Sequence, residues 1–445
     1  MMSSGYLPHH LSCEALKSEL DLHSIPPTQT CILDTSLVEY YSISSAENQQ
    51  VIDFHIVGNG EDYIDPSQIY LHVQVDIKKV KNIDLTDNDN VIPINGLLHS
   101  MFSDIIVQLG DKIITSADQA YPYKAYFARM FMGNTHAINN YLNMEMFYKE
   151  PFFTKLNDNI LKNDFIKEKL LKSKNTIDMF GKPCIDLFNQ DRLLPNDLDM
   201  RIKLIRNKNE FCLIKDETVR DGSRAHLDDF QINIKKISLF VRKVKLNPSV
   251  MLAQIKSLSL STFKYPMLRT EIRTQCIGNG MRDIHLDNLF LGPLPVFIMF
   301  GLVDSDAFAG TMTSNPFYFH NKNISHVSIQ IDSQQYPVVP LQPDFKNNMF
   351  IMCYHHFLTS IGKYYDTDGL DISLENYANG CTLFPFDLTS DQNIDVSHFN
   401  LAKNGSLRIN LKFNESLDKN MILVVYALFQ SIIEIDKNKS VITDY

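Results

Sequence analysis

Cys353, His355 and His356 stand within one short stretch, and thiolate and imidazole are the usual ligands of zinc, so metal ligation is the first chemistry the sequence raises. The stretch reads as a strand, however, on which adjacent side chains diverge, and no second Cys/His pair lies at ligand spacing. A packing or surface role is expected, with no metal. Asp84, Asp87 and Asp89 alternate as in a calcium loop but lack its glycine and closing glutamate, so they predict a solvated turn. Asp304-Ser305-Asp306 sets two carboxylates at a spacing that can hold a divalent cation, yet it follows the very apolar run Leu289–Val303, where a strand must end and turn.

The triplets Gly58-Asn59-Gly60 and Gly278-Asn279-Gly280 lack the following helix and the lysine of a phosphate loop and are taken as turns. No Gly-x-Ser-x-Gly elbow occurs, and no Ser/His/Asp or paired-carboxylate set stands out. The residues therefore propose neither an enzyme nor a cofactor.

The composition bounds the partners. A formal net charge of −10 disfavours direct, extensive nucleic-acid binding, which needs a Lys/Arg surplus. Lys235, Lys236, Arg242, Lys243 and Lys245 form the one local basic cluster, and their alternation with Ile237, Leu239, Val241 and Val244 reads as an edge strand kept soluble by lysine. Seven scattered cysteines without a Cys-x-x-Cys pair predict reduced, mostly buried thiols. The N-terminus has no basic start or apolar core of a secretory signal, and Gly292, Pro293 and Pro295 interrupt the most apolar run. Synthesis in the cytosol without a transmembrane segment is expected.

Elements able to position such residues are mostly strands. Ile69, Leu71, Val73, Val75 and Ile77 alternate with polar residues, the period of a strand with one buried face, and the same period recurs at 54–56, 232–241, 327–331 and 407–413. Gly110-Asp111 between Ile105–Leu109 and Ile113–Thr115 predicts a tight hairpin. The continuous apolar run Met421–Phe429 predicts a strand covered on both faces, as in a sheet enclosed by a larger assembly. Helices are expected over Ala125–Leu142 and over Ser249–Leu258, the latter started by Asn247-Pro248, with a charged helical or loop excursion at Asp158–Lys174. A chain of 445 residues exceeds one ordinary core, so two β-sandwiches are expected, dividing near Lys245–Pro248.

A set of linked motifs sharpens this reading. Pro93-Ile94-Asn95-Gly96-Leu97-Leu98-His99-Ser100-Met101-Phe102 and Ala120-Tyr121-Pro122-Tyr123-Lys124-Ala125-Tyr126 stand in the first half. The second half carries Leu246-Asn247-Pro248, Lys264-Tyr265-Pro266, Leu291-Gly292-Pro293-Leu294-Pro295, Gly301-Leu302-Val303-Asp304, Ala307-Phe308 and Asn315-Pro316-Phe317. It continues through Pro340-Leu341-Gln342-Pro343-Asp344-Phe345, Asn376-Tyr377-Ala378-Asn379-Gly380, Leu383-Phe384-Pro385-Phe386-Asp387 and Ile433-Glu434-Ile435-Asp436. In order and spacing these resemble the major capsid proteins of Polinton (Maverick) elements and adintoviruses. The sequence departs from that pattern at Ala309, where asparagine is expected, at Tyr318, and at Val296-Phe297, where the family tends to be basic.

The resemblance implies an all-β chain of two tandem eight-stranded jelly rolls: an N-terminal arm at 1–30, a first jelly roll at 31–245 with an excursion at about 120–200, and a second at 246–445. It also implies a homotrimer that tiles an icosahedral virion shell, meeting neighbouring capsomers and penton and minor capsid proteins. The motifs Asn315–Phe319 and Leu383–Phe386 would then close the core and be partly buried by assembly. Two other classes stay open: a jelly-roll module binding a ligand or glycan, and a β-sandwich hydrolase using Asp304, Asp306 or His355-His356.

Overall fold

The computed structural model describes residues 11, 17–45, 49–80, 82–86, 89–115, 120–149, 151–216, 230–287, 289–290, 292–365, 372–394, 398–401 and 403–444. Cys13, Asp87 and Leu291 lie outside them. Strands dominate. The first sandwich is built from β1 (Ile32–Tyr41), β2 (Val51–Ile56), β3 (Asp62–Lys79), β4 (Phe102–Leu109), β5 (Lys112–Ile113), β6 (Ile177–Gly181), β7 (Met200–Arg206) and β8 (Phe230–Leu246). The second comprises β9 (Phe263–Ile277), β10 (Asp283–Asp287), β11 (Phe297–Asp304), β12 (Ile324–Ile331), β13 (Gln334–Leu341), β14 (Leu383–Asp387), β15 (Leu407–Phe413) and β16 (Met421–Ile435).

In the first sandwich one sheet runs β1-β8-β3-β6 and the other β2-β7-β4-β5; in the second they run β9-β16-β11-β14 and β10-β15-β12-β13. Advancing every label of the first by eight gives the second, so one connectivity is used twice without a sequence repeat. Among the described residues every ladder is antiparallel, and each sandwich has the two sheets of a jelly roll, as expected, one of four strands and one of four plus a short fifth, Ile83–Asp84 in the first and Val441–Thr443 in the second. Among the described residues no ladder joins a strand of one sandwich to a strand of the other.

The alternation in β3 is realised as read. Ile69, Leu71, Val73, Val75 and Ile77 are buried between the sheets, while Tyr70, His72 and Gln74 face outward and are half-buried. The β4–β5 hairpin turns at Gly110, whose φ of 54° is the left-handed conformation that glycine adopts at no steric cost. Three longer helices are α1 (Tyr121–Met132), α2 (Pro248–Leu258), which links the sandwiches in the chain, and α3 (Ile351–Ser360). Asn247 caps α2, its Oδ1 accepting from Ser249 N at 3.1 Å, as its type and the following proline predict. No helix among the described residues is long and apolar enough to cross a membrane.

Several expectations are corrected. The lysine-rich strand β8 is not an edge: β1 and β3 flank it, because β1 returns antiparallel to cover its outer side. Three of its five basic residues pair with acids within the sheet, Lys235 with Asp76 at 2.7 Å, Lys236 with Glu39 at 3.0 Å and Arg242 with Asp65 at 3.0 Å, and Lys243 lies over the Tyr40 ring. The helix read over Ala125–Leu142 starts earlier and breaks at Gly133, after which the Asn134 side chain caps a second short helix, Thr135–Asn139. Cys353, His355 and His356 sit on helix α3, since the apolar spacing of Cys353 and Phe357 is helical and not alternating. Asp304 ends β11 as expected, but the following residues form a helix, Ser305–Ala309, in place of a turn. The excursion at Asp158–Lys174 is helical, in two pieces, Asp158–Leu161 and Asp164–Ser173.

Candidate functional site

The feature that organises the molecule is the seam between the sandwiches, built on α1. Pro122 starts the helix, and the apolar residues of Tyr121–Phe131 surround most of its circumference. Tyr126 stacks on Phe317 with centroids 4.2 Å apart and planes 7° from parallel. Tyr123 stacks on Phe308 at 5.5 Å and meets the edge of Phe317 at 5.5 Å, while its hydroxyl donates to the Pro316 carbonyl at 3.1 Å. Phe127 packs on Phe319 at 5.3 Å and Tyr426 at 5.7 Å, and Phe131 reaches Phe297 at 6.4 Å. Rings in these offset and edge-on arrangements each contribute about 0.5–1.5 kcal/mol beyond the area they bury.

Backbone details seat these rings. Asn315 Oδ1 accepts from Phe317 N at 3.0 Å, and its own N–H donates to the Thr154 carbonyl at 2.9 Å, tying the motif to the first half of the chain. Phe319 N donates to the Gly380 carbonyl at 2.8 Å. Gly301 lies beneath: a Cβ there would stand 2.7 Å from Leu383 Cδ2 and 2.8 Å from Phe319 Cδ1, inside van der Waals contact. Gly301→Ala is therefore expected to destabilise the chain by roughly 1–3 kcal/mol, as overpacking does, and a urea midpoint equal to that of the wild type would contradict the placement of Phe319 over this glycine.

A second contact runs beside the first. Tyr265 donates to the Leu193 carbonyl at 2.9 Å, Gln190 Nε2 to the Pro266 carbonyl at 2.7 Å, and Thr270 Oγ1 to Asp186 at 2.9 Å. The motif residues Tyr123, Tyr126, Tyr265, Pro266, Gly301, Phe308, Asn315, Pro316 and Phe317, far apart in sequence, thus serve one intramolecular joint. This corrects the expectation that Asn315–Phe319 is buried by assembly, because Phe317 is only 1% exposed in the single chain. It also explains the run Met421–Phe429: the outer face of β16 is covered at Tyr426 by α1 of the same chain.

Behind α1 lies a buried polar node that the sequence did not reveal. Arg129 bonds Glu145 through Nε at 2.5 Å and Nη2 at 2.9 Å, and Nη2 also donates to the Lys182 carbonyl at 2.6 Å. The Tyr121 hydroxyl accepts from Cys184 N at 3.1 Å and lies 2.9 Å from His99 Nδ1, so it donates to that nitrogen. His99 Nε2 then carries the proton and donates to Glu145 at 3.0 Å. Burial pushes His99 below its usual value, against the pull of Glu145, and leaves it neutral. Burial opposes ionisation of Glu145, but its bonds from His99 and Arg129 outweigh this and draw the carboxyl down to about 2.

The remaining motif residues act locally. Asn95 clamps Tyr148, accepting from its N at 2.7 Å and donating to its carbonyl at 2.8 Å, and Gly96 turns the chain with φ 63° into the helix Leu97–Ser100. Tyr377 is fully buried against α3 beside Phe357 and Phe350. Asp344 accepts from Asn347, Asp387 from Thr389 and Asp436 from Ser440, each closing a turn. Phe345 stacks on Phe350 at 5.1 Å, Phe386 packs on Phe300 at 5.7 Å, and Glu434 accepts from Thr262 at 2.5 Å. Pro343 and Asn379 lie in the turns beside Asp344 and Gly380, and Gly292 lies next to a surface groove of about 1040 Å³ that Pro295 lines with Phe399, Leu401 and Phe429.

Among the described residues, those first weighed for chemistry are not brought together. Asp304 is held by His320 at 3.2 Å and Lys419 at 2.5 Å; burial opposes ionisation, but these two partners lower its carboxyl to about 2. Asp84 pairs with Lys78 at 3.0 Å and Asp89 with Lys79 at 2.9 Å. His355 meets Tyr364 and His356 meets Phe386, on different sides of α3. Among the described residues no three His, Cys, Asp or Glu side chains are grouped as metal ligands. Cys184, Cys212, Cys353 and Cys381 are buried free thiols, whereas Cys31 and Cys276 are exposed.

No protein-family model matches the chain. It is 24% identical over 437 residues to an uncharacterized protein, F54H12.2, of Caenorhabditis elegans, the match covering 94% of this chain and 99% of that protein. In structure it is similar to a chain of the Sputnik virophage, with a TM-score of 0.68 and 11% identity over 100% of this chain and 94% of that one. It is also similar to the mavirus major capsid protein, with a TM-score of 0.53 and 11% identity over 99% of this chain and 96% of that one. Both likenesses span nearly the whole of each chain, and the fold is a double jelly roll.

Proposed function

We propose that this chain is a major capsid protein of the Polinton (Maverick) and adintovirus kind, and that three copies close into a pseudo-hexagonal capsomer that tiles an icosahedral shell. The observation that carries the reading is end-to-end likeness to the mavirus major capsid protein and to a chain of the Sputnik virophage, with both jelly rolls present and joined. A joined pair of like sandwiches is what lets three chains present six similar blocks. The linked motifs support the Polinton assignment, and we place the two units at 31–245 and 246–445, after an arm at 1–30. Neighbouring capsomers and penton and minor capsid proteins are the partners, and the virion is the site of action. The internal ion pairs of Lys235, Lys236 and Arg242 on β8 and the net charge of −10 suit a shell component that leaves genome contact to others.

Light scattering on the whole chain, with negative-stain images of the same sample, tests this. A trimer of pseudo-hexagonal outline is the expected result. A stable monomer at high concentration that binds glycans would overturn it in favour of a binding module, for which the groove beside Phe399 is the available surface.

A further inference from the structure

The doubled connectivity makes α1 and α3 equivalent in chain order. Helix α1 follows the β4–β5 hairpin and precedes β6, and α3 follows the β12–β13 hairpin and precedes β14. Yet α1 is enclosed, with Phe127 and Phe131 resting on Phe297 and Tyr426 of the β9-β16-β11-β14 sheet, whereas among the described residues α3 is covered on one side only. Cys353 and Phe357 face the second sandwich, while Ile351 is 64% and Met352 75% exposed, with His355 and Tyr364 meeting edge-on at 4.6 Å nearby.

The sheet corresponding to the one that α1 covers is β1-β8-β3-β6 of the first sandwich. On its outer face Tyr70, His72, Phe180 and Phe240 form a contiguous cluster: Tyr70 and Phe180 stack at 5.2 Å, and Phe180 and Phe240 lie 5.8 Å apart. All four are half-buried, open where Phe297 and Tyr426 are closed. Among the described residues the chain thus has one helix that packs on its own sandwich but is open on its other side, and one aromatic sheet face without a helix. Methionine and aromatic side chains are also the types enriched where proteins meet.

We propose that α3 of one copy seats on the Tyr70–Phe240 face of a second copy, repeating between chains the contact that α1 makes within one. The proposal rests on the capsomer reading and supplies its interface. The contact is head-to-tail, joining different patches of the two copies, so it closes only as a ring. Within that ring helix-to-sheet contacts alternate between intramolecular and intermolecular.

The test uses full-length chains carrying Met352→Glu on the helix or Phe180→Glu on the sheet, with mass measured by sedimentation and folding followed by thermal denaturation. Each variant is expected to keep the wild-type melting profile and to weaken association at least about 30-fold, as loss of a central interface residue does. An equimolar mixture should form a species of two copies, because the intact helix of one variant still meets the intact sheet of the other. A Met352→Glu chain that assembles like the wild type would overturn this interface while leaving the capsomer reading intact. A wild-type chain that stays monomeric would overturn both. Should Phe180→Glu fail to fold, Met352→Glu decides alone.

Discussion

Phe317→Ala is expected to lower the stability of the folded chain by roughly 3–5 kcal/mol, the range for deleting a buried aromatic ring. The ring is 1% exposed, lies flat on Tyr126 and meets the edges of Tyr123 and Phe211, so no neighbour can close the gap without leaving its own partner. Whole domains are stable by only about 5–15 kcal/mol, so this loss is a large fraction of the total. Phe317→Asp, which buries a charge with no counter-ion, should yield little soluble protein. Because the ring belongs to the joint, the alanine variant should also unfold in two separated transitions where the wild type shows one. Urea denaturation followed by far-ultraviolet circular dichroism reads both effects. A midpoint within about 1 kcal/mol of the wild type would mean that the joint does not depend on this ring.

The second large effect belongs to the node behind α1. Glu145→Gln leaves Arg129 buried without its counter-charge, and breaking a buried pair in this way costs about 3–5 kcal/mol. The same node makes the chain acid-sensitive. His99 sits below its ordinary value of 6.5, so its contribution is present above that pH and is lost as pH falls beneath it. The Glu145 carboxyl, lowered from an ordinary 4.5 to about 2, contributes fully above 4.5 and loses its contribution as pH falls toward 2. Both act in one direction. Urea titrations across this window should show the wild type weakening as acid is added. Glu145→Gln should be less stable near neutrality but have a shallower slope between 4.5 and 2. Parallel slopes for the two chains would refute the coupling of this carboxyl to folding.

Much of the strand content was legible because burial between two sheets writes a period of two into the chain, as at Ile69–Ile77 and Leu407–Phe413. Capping was legible at Asn247-Pro248 and the hairpin at Gly110, since each depends on a few adjacent residues. The errors share a cause. The α3 stretch is too short and too evenly apolar for its period to separate helix from strand, and β8 carries an edge strand's lysines because their acidic partners, Glu39, Asp65 and Asp76, lie on strands remote in sequence. Arg129 and Glu145 left no signal at all, because a buried ion pair between separate segments has no local pattern.

By itself the sequence determined that the chain is a pair of antiparallel β-sandwiches, and where strands such as Ile69–Ile77, the Gly110 hairpin and the Asn247 cap fall. These follow from periodicity, turn chemistry and spacing, which are short-range. Only the tertiary structure decided which aromatic motifs are consumed inside the chain and which remain outside. As aromatic side chains Tyr126 and Phe317 do not differ from Tyr70 and Phe240; a ring's partner is set by which sheet face meets which helix, and that is fixed only when both sandwiches have folded and docked.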